Sequence, residues 1–245
     1  DKIGPELSFG WTIGEKLDED VLIIKAAWGG KSLFRDFLSP SGRKPDDAFI
    51  QALEDKAKKK KRPFSKEEYI EDFGHYYRRM LTSVVETLGD LKTYVPNYLG
   101  QGYEIAGFVW FQGFNDKFSD HSTSTYQENM AHFIRDVRKD LKLPQLPFVI
   151  GAMGHQGTEQ KGTTKILADA QIATAQMPEF KGNVITVETA DFWDYDAGKA
   201  FENKNKDPDT WAKLGSNRAY HYFGSAAFFE KTGTAFADAI IELGK

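Results

Sequence analysis

The stretch GFVWFQGFND, residues 107–116, ends an apolar run in Gln112, Gly113, Asn115 and Asp116. Two of these residues carry primary amides. Fixed N–H groups of that kind, facing a carbonyl oxygen that gains negative charge, stabilise an acyl-transfer transition state by roughly 3 kcal/mol each. A second apolar run, VLIIKAAWGG over residues 21–30, ends in Gly29 and Gly30, and a glycine lets a ligand approach the backbone closely. His221, in NRAYHYFGSA, adds an imidazole, which titrates in the range that a hydroxyl-activating base requires. Each has a plainer reading as well: buried amides commonly tie loops together, and a lone histidine is commonly a satisfied structural side chain. Neighbours on a strand alternate faces, so Gln112 and Asn115 need not serve the same space.

Other chemistry finds less support. GGKS ends like a phosphate-binding loop, but Lys25 stands where the first glycine is required. DYDAG, residues 194–198, lacks the twelve-residue ligand pattern of a calcium loop, and the five histidines show no H-E-x-x-H spacing, so no metal is expected. The absence of cysteine excludes disulfides and thiolate catalysis. A net charge of −4 gives no electrostatic reason for a nucleic-acid partner, and no segment is apolar for long enough to cross a bilayer. The basic run at residues 56–62 reads as a solvated face or loop.

Elements that could position the polar residues follow from periodicity. A 245-residue chain with 40% hydrophobic and 28% charged residues fits one large globular domain. Helices are predicted over residues 5–17, from residue 65 to 91 after a Ser65/Glu68 capping box, over 125–141, 164–177 and 222–243. Strands are predicted over 21–30, 105–112, 148–154 and 183–189. Residues 31–66 lack clear periodicity and read as an excursion from the core. Strands alternating with long helices imply an α/β fold, a mostly parallel sheet covered on both faces. Ligands bind such sheets beyond the carboxyl ends of the strands, which brings Gly30 and residues 112–116 to one rim.

Taken together, IGPELSFG, AAWGGKSL, GFVWFQGFND and YHYFGSAAFFEKTGTAFADAI resemble the SGNH hydrolases, in the branch of sialate O-acetylesterases and acetylxylan esterases of carbohydrate esterase family six. The likeness runs from Ile3 almost to the end. It implies a flavodoxin-like three-layer α/β/α fold and serine-dependent deacetylation of a carbohydrate without a cofactor. It also implies a secreted or periplasmic location. The family's oxyanion donors fall on Gly30 and on the block from Gln112 to Asp116. The G-x-N-D pattern favours Asn115, with Gln112 second, and Phe114 stands where the family commonly has Glu. The catalytic histidine falls on His221. Trp28, Phe114 and Trp193, near predicted strand ends, could cover sugar faces.

Two parts of the family pattern are not met. Arg218 occupies the place of the usual acid three residues before the histidine, with Asn217 next to it. Ala152 stands where related sequences can carry a Glu, which leaves Glu188, Asp191, Asp194 or no acid at all to orient His221. No GQSN-like serine block occurs, and neither Ser32 nor Ser216 matches its position. In the family's strand order the first strand lies between those ending at Gly30 and Gln112, and an empty place there would leave exposed edges. The sequence begins at Asp1 without an initiator Met. The expectation is that an N-terminal segment of the same protein completes the sheet and brings the serine. The alternative is a noncatalytic carbohydrate-binding relative.

Overall fold

The computed structural model describes residues 3–245. Three parallel strands, β1 (Phe108–Trp110), β2 (Phe148–Ala152) and β3 (Val184–Glu188), lie side by side in that order. Phe108 pairs with Phe148, and Phe148 with Val184. The helices are, in chain order, α1 (Glu6–Lys16), α2 (Asp47–Lys59), α3 (Lys66–Glu71), α4 (His75–Gly89), α5 (Leu91–Tyr94), α6 (Asp120–Ser124), α7 (Tyr126–Asp140), α8 (Gly162–Ala175), α9 (Tyr195–Asn203), α10 (Pro208–Leu214) and α11 (Ala226–Leu243).

Side chains alternate along each strand, so the sheet feeds two cores. On one face Trp110, Phe148, Ile150 and Val184 join Met130, Phe133 and Ile134 of α7 and Leu167 of α8. On the other, Val109, Val149, Ile185 and Val187 meet Phe236, Ala237 and Ile240 of α11 and Ile13 of α1. This is the expected three-layer α/β/α arrangement. Helices α1 and α11 cross closely because Gly233 has no side chain: a Cβ there would overlap the Pro5 carbonyl and the Ser8 hydroxyl. Ser8 also donates to the Phe229 carbonyl at 2.9 Å. Among the described residues no helix is long and apolar enough to cross a membrane.

Residues 21–30 depart from the expected strand. No backbone hydrogen bond reaches residues 18–30 among the described residues, and β1 is paired with β2 alone. A strand exists only through a hydrogen-bonded neighbour, so this apolar run stays unassigned for want of one. Val21, Leu22 and Ile23 are 43%, 43% and 39% exposed, while Ala26 and Trp28 pack on the α7 side of the core.

Other boundaries shift for local reasons. The expected helix from residue 65 is broken into α3, α4 and α5. Ser65 caps α3, accepting from Glu68 N–H at 3.1 Å, but the chain turns left-handed at Gly74 (φ +70°), where a Cβ would overlap the Leu38 carbonyl. The excursion over 31–66 contains α2, started by the Asp46 side chain accepting from Phe49 N–H at 2.8 Å. Phe49 packs with Phe34, Leu38, Phe73 and Tyr69 in a small separate cluster. At the other end α11 begins only at Ala226, so His221 sits in a turn before the helix and not in its first turn.

Candidate active site

Two loops meet beyond the carboxyl end of β1. The loop that follows residues 21–28 turns left-handed at Gly30 (φ +72°), and the one after β1 passes into a 3₁₀ turn, Phe114–Phe118. Asp116 clamps them together. Its fully buried carboxylate accepts from Leu33 N–H and Phe34 N–H, both at 2.9 Å, and from the Gln112 amide at 2.7 Å. Burial pushes this carboxyl up to about 6, against the N–H donors that hold it down. Ser122 and Thr123 fix the same residue from behind by donating to its carbonyl.

This network separates the two candidate amides. Gln112 gives one N–H to Asp116 and the other to the Lys31 carbonyl at 2.8 Å, while its oxygen accepts from Tyr126 at 3.2 Å. Both its hydrogens are engaged in holding the loops. Asn115 differs. Its Nδ2 stands 3.7 Å from where a Cβ on Gly30 would lie, and among the described residues no hydrogen bond engages its amide or the Gly30 N–H. Gly30 and Asn115 therefore present two unused donors at one wall of the rim.

His221 is solvent-exposed in the 3₁₀ turn Ala219–Gly224. The path from Asn115 to it is short: the Phe114 ring packs 5.6 Å from Tyr220, whose ring is 4.5 Å from His221. His221 Nδ1 lies 3.0 Å from Asn217 Oδ1. Of the three candidate acids, Asp194 caps α9 through Ala197 N–H and accepts from Ser225, which itself caps α11.

Behind Phe114 lies His155, which the sequence reading did not single out. It is 6% exposed, 4.9 Å from Phe114, 4.4 Å from Tyr222 and 6.1 Å from Trp193 between ring centroids. Neither ring nitrogen completes a hydrogen bond. Burial pushes the imidazole down to about 4, against the opposing pull of the Tyr220 backbone, so the ring is neutral at ordinary pH. Phe114 and Trp193 thus both pack against the buried His155 ring. Trp28 does not: it packs against Tyr76 at 5.2 Å and Phe37 at 6.1 Å in the helix-covered core.

Ser32 and Ser41 are engaged in holding loops. Ser32 donates to Asp36 at 2.9 Å and accepts from Arg35 N–H at 3.2 Å, closing the turn after Gly30. Ser41 lies 2.9 Å from His132 and 2.8 Å from Asp136, but the acid accepts from the serine and not from the histidine, the reverse of a catalytic relay. That group pins the loop before α2 to α7. Among the described residues no cluster of three or more His, Asp or Glu could hold a metal.

Comparison with known proteins adds the family. A family model described as carbohydrate esterase, sialic acid-specific acetylesterase, matches residues 1–198. The Arabidopsis thaliana protein named probable carbohydrate esterase At4g34215 is 38% identical over 56 residues, which are 23% of this chain and 22% of that protein. The X-ray structure of the Arabidopsis thaliana protein AT4G34215 superposes with a TM-score of 0.59 at 17% identity, covering 98% of this chain and 68% of that one. The sequence match thus spans about a fifth of the relative's length, and the likeness in structure speaks for the fold.

Proposed function

The chain belongs to the sialic acid-specific acetylesterase family of carbohydrate esterases, and on that premise we propose that it removes O-acetyl groups from a carbohydrate by serine-dependent hydrolysis. The observation that carries this reading is the pair of unused donors, Gly30 N–H and the Asn115 amide, on a rim that Phe114 and Tyr220 connect to His221.

In the proposed reaction His221 Nε2 takes the proton of a serine hydroxyl as its oxygen bonds to the acetyl carbonyl carbon. Gly30 and Asn115 hold the resulting oxyanion. The protonated imidazole then gives its proton to the departing sugar oxygen, leaving an acetyl-serine. Water, deprotonated by the same imidazole, attacks this ester, and collapse returns acetate and free serine. Phe114 and Trp193 line the acyl and sugar side.

The serine comes, in this reading, from a segment of the same protein that lies as a strand between residues 21–28 and β1. Both sides of that place offer unpaired backbone. Covering Val21, Leu22 and Ile23 would add roughly 1 kcal/mol or more for each side chain buried. We further propose a polysaccharide or sialic-acid-type substrate and a secreted or periplasmic enzyme.

A second reading, a noncatalytic sugar-binding relative, is favoured by one observation: an amide, Asn217, holds the place at His221 where a hydrolase commonly has an acid. Acetate release from acetylated xylan and from O-acetyl sialic acid, measured on the full-length protein, separates the two. Release that is lost in His221→Ala supports hydrolysis. Sugar binding without any release supports the second reading.

A further inference from the structure

Asn217 Oδ1 has two neighbours, the Arg218 N–H at 2.8 Å and His221 Nδ1 at 3.0 Å. A backbone N–H can only donate, so the Arg218 contact fixes which end of the amide is the oxygen. That oxygen can only accept, so the His221 proton must sit on Nδ1, and the lone pair of the neutral ring falls on Nε2. One backbone N–H thereby selects the tautomer in which a general base can act through Nε2.

The turn around this contact is built tightly. Ser216 N–H and Asn217 N–H both donate to the Phe223 carbonyl at 2.8 Å, and His221 N–H and Phe223 N–H to the Arg218 carbonyl at 2.9 and 3.1 Å. Tyr222, Phe223 and Gly224 are successively left-handed, with φ of +50°, +59° and +62°. Two non-glycine residues in that region cost of order 1–3 kcal/mol each, and such strain persists only where the surroundings impose it. Here they do: the Tyr222 ring stacks on Phe228 at 3.9 Å, its hydroxyl accepts from Gly154 N–H at 3.3 Å, and Phe223 packs on Trp193 at 4.9 Å.

We propose that Asn217 is the positioning residue of His221, an amide that fixes the ring's tautomer and direction without placing a negative charge beside it. The inference rests on the esterase reading above for its catalytic consequence. At Nδ1 the imidazolium formed during acyl transfer meets the dipole of the Asn217 amide. Among the described residues Tyr220 lies beside the ring, Arg218 follows Asn217 in the same turn, and His155 and Lys117 pack on Phe114, Lys117 at 3.9 Å from its ring.

The test compares wild type, Asn217→Asp and Asn217→Ala in the full chain, by two readouts. Nitrogen-15 spectra of His221 give the tautomer and titration, and kcat/KM for an acetylated sugar is followed against pH. Wild type should show the Nδ1–H tautomer. Asn217→Asp keeps both acceptor contacts and adds a charge, so the His221 pKa and the acid limb of kcat/KM should both rise by about one unit. Asn217→Ala should lower kcat ten- to a hundredfold with KM little changed. A His221 titration unmoved in Asn217→Asp, or a wild-type spectrum with the proton on Nε2, would overturn the proposal. Absence of acetate release from wild type would count against the esterase reading alone, because the spectra still report the Asn217–His221 coupling.

Discussion

The Asn115 amide nitrogen lies 3.7 Å from the point that a Cβ on Gly30 would occupy, so a side-chain donor and a backbone donor from separate loops share one wall. In the proposed reaction this proximity makes Asn115 the oxyanion donor, while Gln112, three residues earlier on the same loop, holds the loops together.

Asn115→Ala should therefore lower kcat about a hundredfold, the usual loss of one oxyanion donor, with the melting temperature almost unchanged. Its amide holds no other group among the described residues, so stability has little to lose. Gly30→Ala should do both kinds of harm, since a left-handed alanine costs about 1 kcal/mol and shifts the N–H. Steady-state kinetics with thermal unfolding on the same samples distinguish the two effects.

Gln112→Ala should show the opposite balance. Removing its amide leaves the Lys31 carbonyl and one Asp116 oxygen short of a donor, at a cost of about 2 kcal/mol in urea unfolding. Wild-type stability with a large loss of kcat would instead return the oxyanion role to Gln112.

His155 should give stability a pH dependence of known sign. Its folded pKa is depressed to about 4 from an ordinary 6.5, so between these values the unfolded chain binds a proton that the folded one does not. Stability from this group is complete above pH 6.5 and is lost as pH falls toward 4, by up to about 3 kcal/mol. In His155→Phe that part of the acid destabilisation should vanish. Denaturation at pH 7.5 and 4.5, compared as a difference between variant and wild type, isolates it from other titrating groups. An identical acid loss in both proteins would mean that the ring is not buried neutral.

Gly233→Ala should loosen α1 from α11, because the new methyl has no space beside Pro5 and Ser8. A loss of 2 kcal/mol or more, of the order seen for overpacked sites, is expected, with faster amide exchange in α1. Normal protection of α1 in this variant would show that the crossing adjusts at little cost.

The sequence reading found what depends on local pattern. The period of apolar residues located α7, α8 and the three strands within a few residues, since each buries one regular face in the core. It placed Gly30 and the Asn115 loop on one rim because strand ends in a parallel sheet share a side. What it did not contain was the outcome of long-range contacts. Nothing in VLIIKAAW says that its backbone would lack a partner, and nothing in the heptad-like run after Ser65 says that Leu38 would press on Gly74. Gln112 and Asn115 look alike in sequence, and only the carbonyl of Lys31, 81 residues from Gln112, decides between them. His155 could have been noticed as a histidine in an apolar neighbourhood, but its burial comes from Phe114, Trp193 and Tyr222, which are distant in the chain. Asn217 was noticed only as the neighbour of Arg218, which stands where the acid was expected. Its contact with His221 depends on three successive left-handed residues, two of which carry bulky side chains that sequence rules would not put there.

The most direct measurement is kcat for acetate release from an acetylated sugar by His221→Ala and Asn115→Ala, each in folded full-length protein. The account expects both variants to fall at least a hundredfold below wild type while keeping its melting temperature. Wild-type rates in either folded variant would contradict a single site built from this imidazole and these donors.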